Sequence, residues 1–244
     1  MSTLLEFLRF AWRAAGAQLS QVPPLGELAK HMVSAGVGSV ALLTILTLFA
    51  GLNLSVQSYA TFQRFGGQDF LGMFAGVGGV RELYPVMAAI VCGARIGANL
   101  AAALANMKIS EQVEALEVMG IDPMHYLVAP RLWAVTLALP LLCGYANVIG
   151  IGASYLGAVV QLGLDGGTFM AQIREMVGLS DLAIGMFKGL VFGWLIALIA
   201  TFHGYRAAKK EGAEGVGVAT NRAIVHGAVM CILLNLVISW VLYG

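Results

Sequence analysis

The fold class this sequence predicts is all-α and polytopic, a bundle of membrane-crossing helices, and three observations carry that prediction. Of its 244 residues, 59% are hydrophobic and only 11% charged, against roughly 25% charged in an average soluble domain. Apolar stretches of ~20 residues recur along the chain, the length a helix needs to cross hydrocarbon. None shows the alternation over ~10 residues that marks a barrel strand. The expected organisation is an N-terminal amphipathic interfacial helix over residues 1–30 and a five-span domain over residues 31–244.

Residues 1–30 are amphipathic. Leu4, Leu5, Leu8, Trp12, Ala15 and Leu19 recur three to four apart, with Glu6, Arg9 and Arg13 between them. Such a helix lies in the interface plane rather than crossing it, and Pro23-Pro24 ends it. With no continuous apolar core followed by a small-residue cleavage site, no signal peptide is expected here. The first span is expected at 34–58. Residues 59–80 carry Gly66, Gly67, Gly72, Gly76, Gly78 and Gly79 and are expected to form a polar, Gly-rich connection that dips back into the membrane. The second span is expected at 82–106 and the third at 127–160, the latter bent by Pro130 and Pro140. Residues 163–181 lie outside the membrane. The fourth span follows at 182–202, a basic loop at 203–222 and the fifth span at 223–243.

Lys and Arg set the orientation. One side collects Arg9, Arg13, Lys30, Lys108, Arg131, Arg206, Lys209, Lys210 and Arg222, and the other Arg64 and Arg174, with Arg81 and Lys188 at its border. This places the N-terminus, the 106–131 segment and the basic loop in the cytoplasm and the C-terminus outside. Small residues repeat at four-residue spacing, in Gly93-x-x-x-Gly97 and in Gly185-x-x-x-Gly189-x-x-x-Gly193. They permit close helix approach, within the chain or between subunits.

Several function classes are excluded. A net charge of +1 offers nothing to nucleic acid. Cys92, Cys143 and Cys231 sit in apolar runs with no C-x-x-C spacing and read as small buried residues. The four histidines are scattered. Without G-x-x-x-x-G-K-[ST], H-E-x-x-H or G-x-S-x-G, no catalytic or metal-ligating residue is expected, and ATP is not hydrolysed through a P-loop of this chain.

Charges within the spans are the stronger signal. Arg81 and Glu82 open the second span, and Lys188 falls in the outer part of the fourth. A charge in hydrocarbon costs roughly 2.5–3.5 kcal/mol or more, so such a residue faces the protein interior, a partner charge or water. Glu82 and Lys188 either line or gate a cavity, or form a structural ion pair or snorkel. Arg95, about 20 Å beyond Glu82 along a helix, is expected to clamp backbone carbonyls or helix ends.

The 106–131 segment holds Glu111, Glu114, Glu117 and Asp122, out of thirteen acidic residues in the chain. Ser110 is expected to cap a helix that Glu111 favours and Gly120 stops. Ile109, Val113 and Leu116 form an apolar stripe, the glutamates an acidic flank, and Asp122-Pro123 turns the chain back. The segment reads either as a solvated loop or as a docking helix for a soluble partner.

These residues also carry a family signal. R-E-L-Y-P at 81–85, G-A-R-I-G-A at 93–98, M-K-I-S-E-Q-V-E-A-L-E-V-M-G-I-D-P at 107–123 and V-A-P-R at 128–131 resemble the MlaE/YrbE permeases. So do F-K-G-L-V-F-G at 187–193 and G-A-E-G-V-G-V-A-T-N-R-A-I-V-H at 212–226. The resemblance runs from Leu28 onward. It implies the permease subunit of an ABC transporter in the bacterial inner membrane. Phospholipid or a similar lipid would move between that membrane and a conduit of MCE-domain proteins on the outer face. It further implies a homodimer, and two separate cytoplasmic ATPases that bind ATP-Mg and dock on a coupling helix matching 108–119. The chain itself would bind no cofactor. Carried over by motif, Arg81, Glu82, Tyr84 and Lys188 belong to the lipid cavity. Lys108, Ser110, Glu111, Gln112, Glu114, Glu117 and Asp122 belong to the ATPase-coupling segment. Tyr84 stands where the family commonly has glycine. A different reading makes Glu82, Lys188 and Arg95 the ion relay of a secondary transporter or channel, which five spans without inverted halves argue against. A membrane-embedded lipid-modifying enzyme would need a nucleophile or metal constellation, and none is found.

Overall fold

A computed structural model describes residues 2–20, 22–208 and 212–243. Lys209 and Lys210 of the expected basic loop lie outside the described residues. Among the described residues, and apart from two short 3-10 turns at Gln63–Phe65 and Gln68–Phe70, eight helices follow one another: α1 (Ser2–Ser20), α2 (Leu25–Phe62), α3 (Leu71–Ile109), α4 (Gln112–Val118), α5 (Met124–Gln161), α6 (Gly166–Met176), α7 (Leu179–Tyr205) and α8 (Gly212–Tyr243). Among the described residues, α2, α3, α5, α7 and α8 are long and apolar enough to span a bilayer. The core lies where α5, α7 and α3 meet. There, Leu132, Leu139, Phe192, Leu198, Cys92 and Cys143 are buried. By contrast, α2 and α8 sit at the edges and leave much of their apolar surface open.

Two boundaries differ from expectation. The glycine-rich connection is shorter than 59–80. From Leu71 it already belongs to α3, which passes through wide π-turns at Ala75–Leu83 before becoming regular. The glycines serve contact rather than flexibility. A Cβ on Gly72 would lie 2.6 Å from the Phe169 carbonyl oxygen, and one on Gly76 2.8 Å from a Val177 methyl. Positions without a side chain therefore let α3 lie directly on α6. The basic loop is likewise shorter than 203–222, because α8 begins at Gly212. Helix α3 has 39 residues, or about 58 Å at 1.5 Å per residue. It exceeds the ~30 Å of hydrocarbon and joins both faces as one rod.

Both small-residue repeats are used within the chain. On α7, a Cβ at Gly189 would meet Cys143 Sγ and Pro140 at 2.9 Å, and one at Gly193 the Val135 carbonyl at 2.7 Å. On α3, Gly93 faces Ile196 of α7. A buried row on α2, comprising Ser39, Leu43, Thr47, Gly51 and Ser55, follows the four-residue spacing of one helix face. Its Ser55 donates to the Ser154 carbonyl at 2.8 Å, and Ser154 donates to the Gly51 carbonyl at 3.2 Å.

Helix α1 ends at Ser20, earlier than residue 30. Its Leu4, Leu5, Leu8, Trp12 and Leu19 stripe points away from the protein. A second face packs inward: Phe7 and Phe10 meet the Phe202 ring edge-on at 5.1 and 5.5 Å. The Trp133 and Trp194 indoles donate to the Gln18 backbone and side-chain oxygens at 2.8 and 3.0 Å.

Candidate functional site

At one end of the bundle, three helices bring their charges together. Lys188 of α7 is fully buried, at 0% exposure. An ammonium has three donors and, when buried, needs an acceptor for each. Its Nζ donates to the Arg81 carbonyl at 2.7 Å, to Glu82 Oε1 at 2.8 Å and to Ser239 Oγ at 2.8 Å. The Ser239 hydroxyl in turn donates to Glu82 Oε1 at 2.7 Å, and Asn235 donates to Glu82 Oε2 at 2.8 Å. Glu82 is thus held from α7 and α8 at once, yet its side chain keeps 40% of its surface open. Beside it, Arg81 Nε pairs with Asp181 at 2.8 Å. Asp181 also accepts from the Gly178 amide at 3.0 Å, fixing the start of α7. These are paired charges whose geometry offsets their desolvation, and they tie α3, α7 and α8 into a lattice.

Arg81, Glu82 and Lys188 are therefore neighbours. Tyr84 is not an open surface: it is fully buried, with its ring against Gly79 and Gly150. Its hydroxyl donates to the Gly150 carbonyl at 3.1 Å and shares a 2.8 Å bond with Ser154. The side chain fills space that those two glycines leave, so it packs α3 on α5 rather than lining a cavity. Arg95 lies across Gly38 of α2, and among the described residues no backbone carbonyl accepts from it. It takes no part in the Glu82–Lys188 network, as an ion relay would require.

Asp181, Asn235 and Ser239 escaped the sequence reading. The last two were legible in principle, as polar residues four apart in an apolar span. Next to Leu83, an open groove of about 550 Å³ runs between α2 and α3. Asn53, Gln57 and Thr61 supply a polar wall, and Leu54, Phe74 and Leu83 an apolar one.

At the opposite end, the chain turns between α3 and α5. Ser110 does not cap α4. Its hydroxyl bonds back to the Asn106 carbonyl at 2.7 Å and so closes α3. Glu111 instead precedes α4, in a left-handed conformation with φ 61°, which non-glycine residues adopt rarely. Val113 is buried, and Leu116 and Ile109 half-buried, so the apolar stripe faces the protein. The acidic residues divide. Glu114 pairs with Lys108, and Glu117 accepts from the Tyr205 hydroxyl of α7 at 3.3 Å. Glu111 and Gln112 are exposed, as are Val118, Met119 and Ile121, an apolar tip that the periodicity did not single out. Asp122 holds the Met124 amide at 2.9 Å and the His125 ring at 2.9 Å, and His125 reaches Ser20 of α1 at 2.9 Å. Partial burial raises the Asp122 pKa. The Met124 amide and the His125 ring outweigh it and hold the carboxyl below its ordinary value.

Residues 28–241 match the family described as Permease MlaE. The chain belongs to the MlaE permease family. Relatives extend this over nearly the full length. A probable ABC transporter permease protein of Rickettsia typhi is 32% identical, covering 97% of this chain and 91% of the relative. The Haemophilus influenzae intermembrane phospholipid transport system permease protein MlaE is 31% identical, covering 98% and 90%. The chloroplastic protein TRIGALACTOSYLDIACYLGLYCEROL 1 of Arabidopsis thaliana is 32% identical, covering 84% of this chain and 58% of its own length. This MlaE permease therefore carries its buried lattice on a family scaffold of membrane-spanning helices.

Proposed function

We propose that this chain is the membrane subunit of an ABC transporter for phospholipid or a similar lipid, working as a homodimer with a separate ATPase that binds ATP-Mg. The single observation that carries the reading is α3. This one unbroken helix has Glu82 in the polar lattice at one end and Lys108 beside the α4 turn at the other. The 26 residues between them correspond to about 39 Å of rod. An ATPase gripping the 108–119 segment would press on the Val118–Met119 tip and move α4. Val113 and Leu116 would pass that motion to the bundle, and the Glu117–Tyr205 bond would pass it to α7. Both rods end in the lattice, so the Lys188–Glu82 contact would shift with them.

The lipid would sit at the lattice end, against the groove between α2 and α3. The groove's polar and apolar walls suit an amphiphile, and Leu83, which lines it, adjoins Glu82 in the chain. The MCE-domain protein would meet this end on the outer face of the inner membrane. The α4 turn and α1 would lie on the cytoplasmic side, with the exposed α1 stripe in the interface. The chain itself would catalyse no reaction. The phospholipid named for the Haemophilus relative supports the substrate class.

The test is reconstitution with a separate ABC ATPase and measurement of ATP-dependent lipid transfer. A Val118→Asp, Met119→Asp double variant should lose ATPase capture and transfer together while folding normally. Full transfer by that variant would sink the coupling role. ATP-independent transfer by the wild type would sink the ABC reading.

A further inference from the structure

A second groove lies at the α4 end of the bundle, on the far side from the lattice. It has a volume of about 400 Å³ and runs between α1, α7 and α8. Its walls are hydrocarbon: Leu4 and Phe7 of α1, Phe202 of α7, and Val229 and Met230 of α8. Leu4, Val229 and Met230 are exposed, so the groove opens sideways towards the membrane. One end is different in kind. His203 and His226 line it, their ring nitrogens 2.9 Å apart. Arg222 stands one turn before His226 on α8 and, with Arg206, acts on His203 electrostatically. Glu6 neutralises Arg206 in an ion pair at 3.0 Å. Arg222 is exposed, and among the described residues no acid pairs with it.

We propose that this groove is a resident site for one anionic phospholipid of the leaflet on the α4 side. One acyl chain lies against Phe7, Phe202 and Met230, and the phosphate sits at His203, His226 and Arg222. Two physical arguments choose this occupant. An apolar cleft open to a bilayer is filled by hydrocarbon, since water gains no hydrogen bonds there. A cationic mouth at headgroup level attracts negative lipid, at about 1 kcal/mol per basic residue. The site pins α1 to α7 and α8. It is separate from the transported lipid's place beside Glu82, and it rests only on the spans lying in a membrane.

The test uses the full chain in nanodiscs of equal phosphatidylglycerol and phosphatidylcholine, with native mass spectrometry of the released protein. The wild type should retain phosphatidylglycerol about tenfold over phosphatidylcholine. Arg222→Gln should reduce that preference to about twofold or less without changing the melting temperature. Met230→Trp, or Val229→Trp if the first fails to fold, should fill the groove and remove the retained lipid. Equal retention of the two lipids by the wild type would overturn the proposal. So would wild-type retention in a groove-filled variant, because the lipid would then sit elsewhere. Spontaneous disulfide formation between two copies carrying Val229→Cys would also overturn it, by showing that a second copy covers the groove.

Discussion

The two ends of α3 treat charge in opposite ways. At the lattice, Lys188 is buried and its three donors are met by residues from α3 and α8. At the α4 turn, Glu111, Gln112, Val118 and Met119 stand exposed, while Glu114 pairs with Lys108 and Glu117 accepts from Tyr205. Charge satisfied within the chain holds helices together. Surface left open on a short, tethered helix is available to a partner. The contrast separates residues whose loss should unfold the bundle from residues whose loss should only uncouple it.

Breaking the lattice should have the largest effect. Glu82→Ala leaves a buried ammonium short of its charge partner and should destabilise the protein by about 3 kcal/mol, read as a lower melting temperature in detergent. Pairing Glu82→Met with Lys188→Met removes both charges and should recover most of that loss. No recovery would mean the lattice does more than pair two charges. Gly193→Ala comes next. Its Cβ would meet the Val135 carbonyl at 2.7 Å, so α5 and α7 must separate, at about 1–3 kcal/mol. At the other end, Val118→Asp should shift stability by no more than about 0.5 kcal/mol while weakening ATPase capture in a pull-down. A matching loss of melting temperature would erase the distinction between the two ends. The smallest effect concerns Asp122. Its folded pKa is depressed, so its contribution is full above the unfolded value, near 4, and fades as pH falls through the folded value. The protection factors of the amides of residues 121–126, taken against the intrinsic exchange rate at each pH, should therefore fall on acidification in the wild type and much less in Asp122→Asn.

Much of the scaffold was readable from the sequence. Hydrophobic length is a local property, so five spans were legible one stretch at a time. The 107–123 motif was equally local and was enough to indicate the family. Glycine was ambiguous, because the sequence cannot say whether a missing side chain serves a loop or a contact. At Gly72 and Gly76 it serves contact with α6, which extended α3 through a region expected to be a connection. Ser110 misled for a related reason: its hydroxyl had two helix ends within reach and bonded back to the first.

What the sequence determined by itself was which residues would be costly to leave unpaired. Arg81, Glu82 and Lys188 stood out because charge in an apolar span demands compensation wherever it occurs. Only the tertiary structure decided who compensates. The partners Lys188 and Ser239 are 106 and 157 positions from Glu82, and no local pattern encodes a pairing at that range. Tyr84 shows the same division. Its bulk was plain in the sequence, but its place against Gly79 and Gly150 depended on two helices converging to leave a space of its shape.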